Sequence, residues 1–248
     1  MKRAALPFVS LALGLILLVA AHAPTFGGAD RYQVQHFAMA SGSIAHALAL
    51  RAPRARTDSG SSATLRRIAE HGSGTYIDEV LAERDSAVIR WPDRDGVPLA
   101  VWVQPHSDIH DFSPVYAARV HDAFLAWDAV QLPVHFAFVT DSADADVHVT
   151  WIDHFEEPIS GRTRWAHDDE YAITAANIVL AVHHSQGDQL EDDAMEAMAL
   201  HEIGHLLGLD HTSDTLAVMT PRVRVRELSD ADRATARLLY ALPTGRLR

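Results

Sequence analysis

His201-Glu202-Ile203-Gly204-His205-Leu206-Leu207-Gly208-Leu209-Asp210-His211 reads as H-E-x-x-H-x-x-G-x-x-H without a gap. On a helix, two histidines four residues apart lie one above the other on a single face, close enough to share one metal ion. A helix running straight on would carry a third ligand away from that ion. Gly208 is the residue type that accepts a left-handed C-cap, so the chain turns there and His211 comes back as the third ligand. Three neutral imidazoles leave the fourth tetrahedral position of Zn²⁺ open, the layout of a catalytic rather than a structural zinc site. Glu202, next to the first ligand, is placed to take a proton from water in that position. Imidazoles bind metal only when deprotonated, so affinity is expected to fall below the ordinary imidazole range near ~6.5. The plain alternative is a helix that happens to carry surface histidines.

Beyond the motif, Val218-Met219-Thr220-Pro221 places a methionine eight residues after His211. This histidine pattern followed by a methionine turn resembles the metzincins. The resemblance implies that Met219 lies beneath the metal as an apolar floor.

The rest of the chain supplies elements around this centre. Before the motif, acidic Glu191, Asp192 and Asp193 suit the positive end of a helix running over 191–207. Residues 98–103 alternate and are β-rich, which predicts the first sheet strand. Ser113 and Pro114 mark the N-terminus of a helix whose stripe is Val120, Phe124, Trp127 and Gln131. Strands are predicted over 133–139, with Val134, Phe136 and Phe138 on one face, and over 146–152, with Val147, Val149 and Trp151 on one face. The stretch 141–144 between them is turn-like. A long mixed loop containing His154, Pro158, Gly161 and His167-Asp168-Asp169 follows, then a strand over 173–182. Near the start, 76–81 reads as a short helix and Arg90-Trp91-Pro92 as its closing, non-helical piece. After the methionine, Ser229 caps a last helix, with Leu228, Leu238, Leu239 and Tyr240 as its apolar contacts ahead of Pro243.

From residue 75 to 243 this order resembles the matrixin branch of the metzincins. The implied fold class is α+β: a metzincin-type catalytic domain with a twisted, mostly parallel mixed sheet, a long zinc-binding helix, a Met turn and a C-terminal helix. The implied activity is that of a zinc endopeptidase with one catalytic Zn²⁺ on His201, His205 and His211, and Glu202 as general base. Its protein or peptide substrate would lie extended beside an edge strand near 163–166, with the side chain after the cut entering a pocket walled by 218–222. Two other classes share the motif: a zinc hydrolase of small peptides or amides, and a catalytically silent exported binding protein.

Departures from the family pattern are visible. Matrixins commonly bind a second, structural zinc and calcium. Here the last strand reads Asn177-Ile178-Val179-Leu180 where a ligand would be wanted, and Ca²⁺ has no motif of its own to support it. His154, His167, Asp168 and Asp169 are the remaining ligand types nearby, and a solvated loop explains them better. Animal matrixins carry two adjacent aspartates early in the final helix. This chain has Ala231-Asp232, so Asp232 is left to brace the Met turn, and Ala231 makes no ion pair with a newly cut N-terminus.

Residues 1–21 carry a basic start, Met1-Lys2-Arg3, and an apolar run over 11–21, which predicts a signal peptide and a secreted or periplasmic protein. Retained instead, residues 4–23 would anchor the chain in a membrane. Residues 22–74 are linker-like or propeptide-like, with short helices predicted over 44–51 and 63–71, and 75–248 form the catalytic domain. With no cysteine among its 248 residues, the chain has neither disulfides nor the propeptide thiol that keeps animal relatives latent. A formal charge of −12 argues against a nucleic-acid partner.

Overall fold

The computed structural model describes residues 59–247, and the signal peptide expected over 1–21 and the helix expected over 44–51 lie outside the described residues. Its elements are α1 (Ser59–His71), α2 (Ile77–Glu83), β1 (Ala87–Val88), β2 (Leu99–Val103), α3 (Pro114–Asp128), β3 (Phe136–Phe138), β4 (Val147–Ile152), β5 (Gly161–His167), β6 (Ile173–Ala181), α4 (Asp192–Leu206), α5 (Asp230–Ala241) and β7 (Gly245–Arg246). A 3₁₀ turn at Ser142–Asp144, closed by the Asp141 carboxylate on the Ala143 amide, joins β3 to β4.

Five strands form a mixed sheet in the order β3-β2-β4-β6-β5. The first four run parallel, and β5 is antiparallel to β6 at the edge. Alternation does the sorting, since Leu99, Val101 and Val103 of β2 and Val147, Val149 and Trp151 of β4 are buried between half-buried neighbours. The buried face meets α3 and α4. There Val120, Phe124 and Trp127 of α3 are almost wholly buried, and the Trp127 indole N–H donates to the Leu200 carbonyl of α4 at 2.9 Å. Tyr116 donates its hydroxyl to the Leu190 carbonyl just ahead of α4, at 2.6 Å. At the last residue of the same helix, the Trp91 indole donates to the Leu206 carbonyl at 3.0 Å.

Four expectations need correction. Gln131 does not extend the α3 stripe, because the helix ends at Asp128 and Gln131 sits exposed at φ 61°. The strand over 133–139 shrinks to three residues. It lies at the outer edge of the sheet, where Phe138 remains 39% exposed and stacks on His121. The stretch after Ile152, read as a long loop with an edge strand implied near 163–166, contains a full strand, β5, whose buried positions are Gly161 and Thr163 rather than apolar side chains, so hydrophobic alternation does not mark it. Finally, Ser59-Gly60-Ser61-Ser62, linker-like in composition, forms the first turn of α1. That helix rests against the domain through buried Thr64, through Ile68, and through the Arg67 guanidinium on the Ala241 carbonyl.

The start and end of the described chain are tied together. β1 pairs antiparallel with β7, and the Arg90 guanidinium donates twice to the Leu242 carbonyl, at 3.0 Å each. Neither two-residue strand is long enough to announce itself by periodicity.

Candidate active site

The motif helix ends where its glycine dictates. Leu207 is the C-cap, and Gly208 follows at φ 98°. Its amide bonds the His205 carbonyl at 3.0 Å while the Leu209 amide bonds the Gly204 carbonyl at 2.9 Å, the paired bonds of a Schellman turn. A side chain at 208 would also strike the Ile89 carbonyl. The turn brings His211 back to the helix face. The Nε2 atoms of His201, His205 and His211 stand 3.1 Å (201–205), 3.3 Å (205–211) and 3.3 Å (201–211) apart.

The contact between His201 and His205 is not a hydrogen bond. His201 Nδ1–H donates to the Val218 carbonyl at 2.8 Å, and His205 Nδ1–H donates to the Leu209 carbonyl at 3.1 Å. A neutral imidazole has one N–H, so both Nε2 atoms point lone pairs at the same spot. A tetrahedral zinc with bonds of about 2.0–2.1 Å separates its nitrogens by about 3.3 Å, which is the triangle found here. Burial keeps the set unprotonated. It holds the His201 imidazole down at about 4, His205 well below its usual value, and His211 below it as well. The donor set therefore fits zinc.

Glu202 lies one residue on from His201 and is 3% exposed. Its Oε2 accepts from the Thr163 hydroxyl of β5 at 2.6 Å, and its Oε1 lies over Gly161, where a Cβ would come within 2.5 Å. Desolvation raises its carboxyl to about 7, against the opposing effects of the Thr163 hydrogen bonds and Arg162. A carboxyl balanced near neutrality can both accept and return a proton.

Met219 is fully buried, and its sulfur fills the place a side chain at Gly204 would need. The turn that carries it is held from two sides. The Thr212 amide bonds the Met219 carbonyl at 3.0 Å, and the Val218 amide donates to Asp232 Oδ2 at 2.9 Å. Asp232 also closes the capping box with Ser229 and accepts the Tyr76 hydroxyl on Oδ1 at 2.8 Å. Of the expected pocket wall, 218–220 are buried while Pro221 and Arg222 are exposed.

Several supporting residues escape a reading of the sequence. Arg84 pairs with buried Asp210 at 3.2 Å and donates to the Leu209 carbonyl, the group that also receives His205 Nδ1–H. Asp210 had a signal in its place inside the motif, and Thr163 in the expected edge stretch. Arg84, Gly161 and Tyr76 had none.

A second gathering of ligand-type atoms joins His110, Asp111 and His183 within 4.8 Å. His183 is clasped by carboxylates on both nitrogens, Asp153 at 2.8 Å and Asp111 at 3.2 Å, the pattern of an imidazolium latch. The residues singled out in the loop are not gathered with it. Asp168 accepts from the Glu170 and Ala172 amides, while His167 bonds the Asp168 carbonyl and stacks on Tyr171. His154 bonds Asp153.

The matrixin family profile matches residues 107–241, from the loop before α3 to the last residue of α5. The chain belongs to the matrixin family. Among curated relatives, it is 36% identical over 93 residues to metalloendoproteinase 1 of Glycine max, a stretch covering 36% of this chain and 28% of that protein. It is 33% identical over 139 residues to metalloendoproteinase 1-MMP of Arabidopsis thaliana, covering 51% of this chain and 38% of the relative. The chain thus matches about a third of the length of these relatives. The matrixin match includes the whole sheet apart from β2, the motif helix and the Met turn, and leaves out α1, α2 and β1.

Proposed function

We propose that this matrixin is a zinc-dependent endopeptidase in which His201, His205 and His211 hold one Zn²⁺ and Glu202 is the general base. The observation that carries this is the convergence of three imidazole Nε2 atoms 3.1–3.3 Å apart, with a buried carboxyl on the residue next to His201. Zinc, when bound, supplies a Lewis acid that polarises the scissile carbonyl and acidifies water. Glu202 accepts the proton released as water attacks and returns it to the departing amine.

An extended peptide fits alongside β5, which is the outermost strand on the side nearest Glu202. Main-chain pairing with such an edge selects unfolded or loop segments of proteins over dipeptides. Met219 supports the ligands from below as an apolar floor. The hydrophobic leader over 1–21 supports export, and sequencing the N-terminus of the secreted product checks both that step and removal of any of 22–74.

The test has two arms. Phenanthroline should abolish cleavage of casein and added zinc should restore it, with dipeptides left uncut. Glu202→Ala keeps all three imidazoles, so it should hold close to one equivalent of zinc while turnover falls about 10²–10⁴-fold. His205→Ala should lose metal and activity together. Near-normal turnover by Glu202→Ala, or full activity of metal-free protein, defeats the reading.

A further inference from the structure

We infer that Thr163 is a positioning residue whose hydroxyl fixes Oε2 of Glu202, so that Oε1, above the bare Cα of Gly161, is the oxygen that exchanges the proton. The inference rests on the function proposed above.

Thr163 is 9% exposed and reaches Glu202 from a different element, 39 positions away in sequence. Its Oγ1 lies 2.6 Å from Oε2 and 2.9 Å from the Glu202 main-chain carbonyl. One hydroxyl hydrogen cannot serve both acceptors at full strength, and the shorter, charge-assisted contact is the one to the carboxylate. A glutamate side chain has three rotatable bonds. The Thr163 backbone amide also acts on this carboxyl, so removing the hydroxyl takes away one of two holds and lets Oε2 shift from its place. The site next to it is equally specific, because a Cβ at residue 161 would stand 2.5 Å from Oε1 and 2.8 Å from the carboxyl carbon. Positions 161 and 163 of β5 thus shape the space for the base, one by donating a hydrogen bond and the other by lacking a side chain. Because the same strand is the edge offered to the peptide, the base is registered to the substrate by a single piece of backbone.

Thr163→Val removes the hydroxyl while keeping the β-branched shape, and Thr163→Ser keeps the hydroxyl while removing the methyl. For wild type and both variants, kcat and KM on one peptide and zinc content are measured. Thr163→Val should lose about 10–100-fold in kcat, the scale set by misplacing a reacting group by about an ångström. Its KM should stay within about twofold and its zinc near one equivalent. Thr163→Ser should remain within about threefold of wild type. In a Glu202→Ala background Thr163→Val should cost nothing more, since the group it positions is gone. Unchanged kcat in Thr163→Val, or an equal loss in Thr163→Ser, overturns the inference. So does an additive loss in the double variant. If wild type is active and Glu202→Ala is not, these outcomes bear on Thr163 alone. An inactive, zinc-free wild type would instead defeat the proposed function.

Discussion

Burial sets the terms on which protons and metal compete for the three histidines. The sequence alone places the loss of metal near the ordinary imidazole value of about 6.5. The structure moves it lower, because desolvation, partly opposed by the Val218 carbonyl, brings His201 down to about 4 and acts in the same direction on His205 and His211. Dialysis against buffers of falling pH should therefore leave zinc bound at pH 5.5. Release at 6.5 would contradict this account. The sign for stability follows from the same shift. A folded histidine with a depressed pKa contributes stability that is present above about 6.5 and lost as pH falls toward about 4, because the unfolded chain takes up the protons first. Metal-free protein should show a falling Tm across that window. At this scale the ligands were legible, since all three and the base fall within eleven consecutive residues. Arg84 and Tyr76 were not, because their partners Asp210 and Asp232 lie 126 and 156 positions away, and Thr163 was marked only as part of the edge stretch, not as a partner of Glu202 39 positions on.

Between elements, two contacts carry consequences that can be measured. Arg84, from the end of α2, is the brace behind the Schellman turn. Both its side chain and that of Asp210 are under a tenth exposed. Replacing Arg84 by Ala leaves the Asp210 charge buried and the Leu209 carbonyl without one of its donors, a loss of about 3–5 kcal/mol. Urea titration should show that destabilisation, and zinc affinity should weaken with it, because Leu209 orients His205. The second contact is the latch of Asp111, His183 and Asp153, which joins the loop before α3 to the ends of β4 and β6. Burial works to lower the His183 imidazole, but the two carboxylates outweigh it and hold it above its usual value. With a raised folded pKa the stabilisation is complete below the unfolded value and fades as pH climbs through the folded one. The Tm difference between wild type and His183→Gln should accordingly be largest near pH 6 and shrink by pH 8.5. A gap that grows with pH would reverse the assignment. Element existence was mostly readable from alternation and caps, as Ser113 and Ser229 show. β5 was placed only through the family resemblance, near 163–166, because its buried positions are Gly161 and Thr163 rather than apolar side chains.

At the level of the whole molecule, the segment from Tyr76 to Trp91, which the matrixin match leaves out, is built into the C-terminal helix and the site. Tyr76 reaches α5 at both Thr235 and Asp232, Arg90 reaches Leu242, and β1 pairs with β7. Ending the chain after Pro243 removes β7 and with it the Leu247 amide bonded to the Ser86 carbonyl. A loss of about 1–3 kcal/mol is expected from a few backbone hydrogen bonds, measured by denaturant unfolding, with zinc content unchanged. Loss of zinc on that truncation would mean the tie reaches further than the contacts indicate. Trp91 and Trp127, each 1% exposed, hold the Leu206 and Leu200 carbonyls of α4, which flank the helix histidines in sequence. The motif helix is thus viewed by two of the chain's five native indole fluorophores, whose emission stays at short wavelength while their indoles remain dry. Metal uptake, ligand substitution and unfolding of this one helix should all be readable by light from the unlabelled protein.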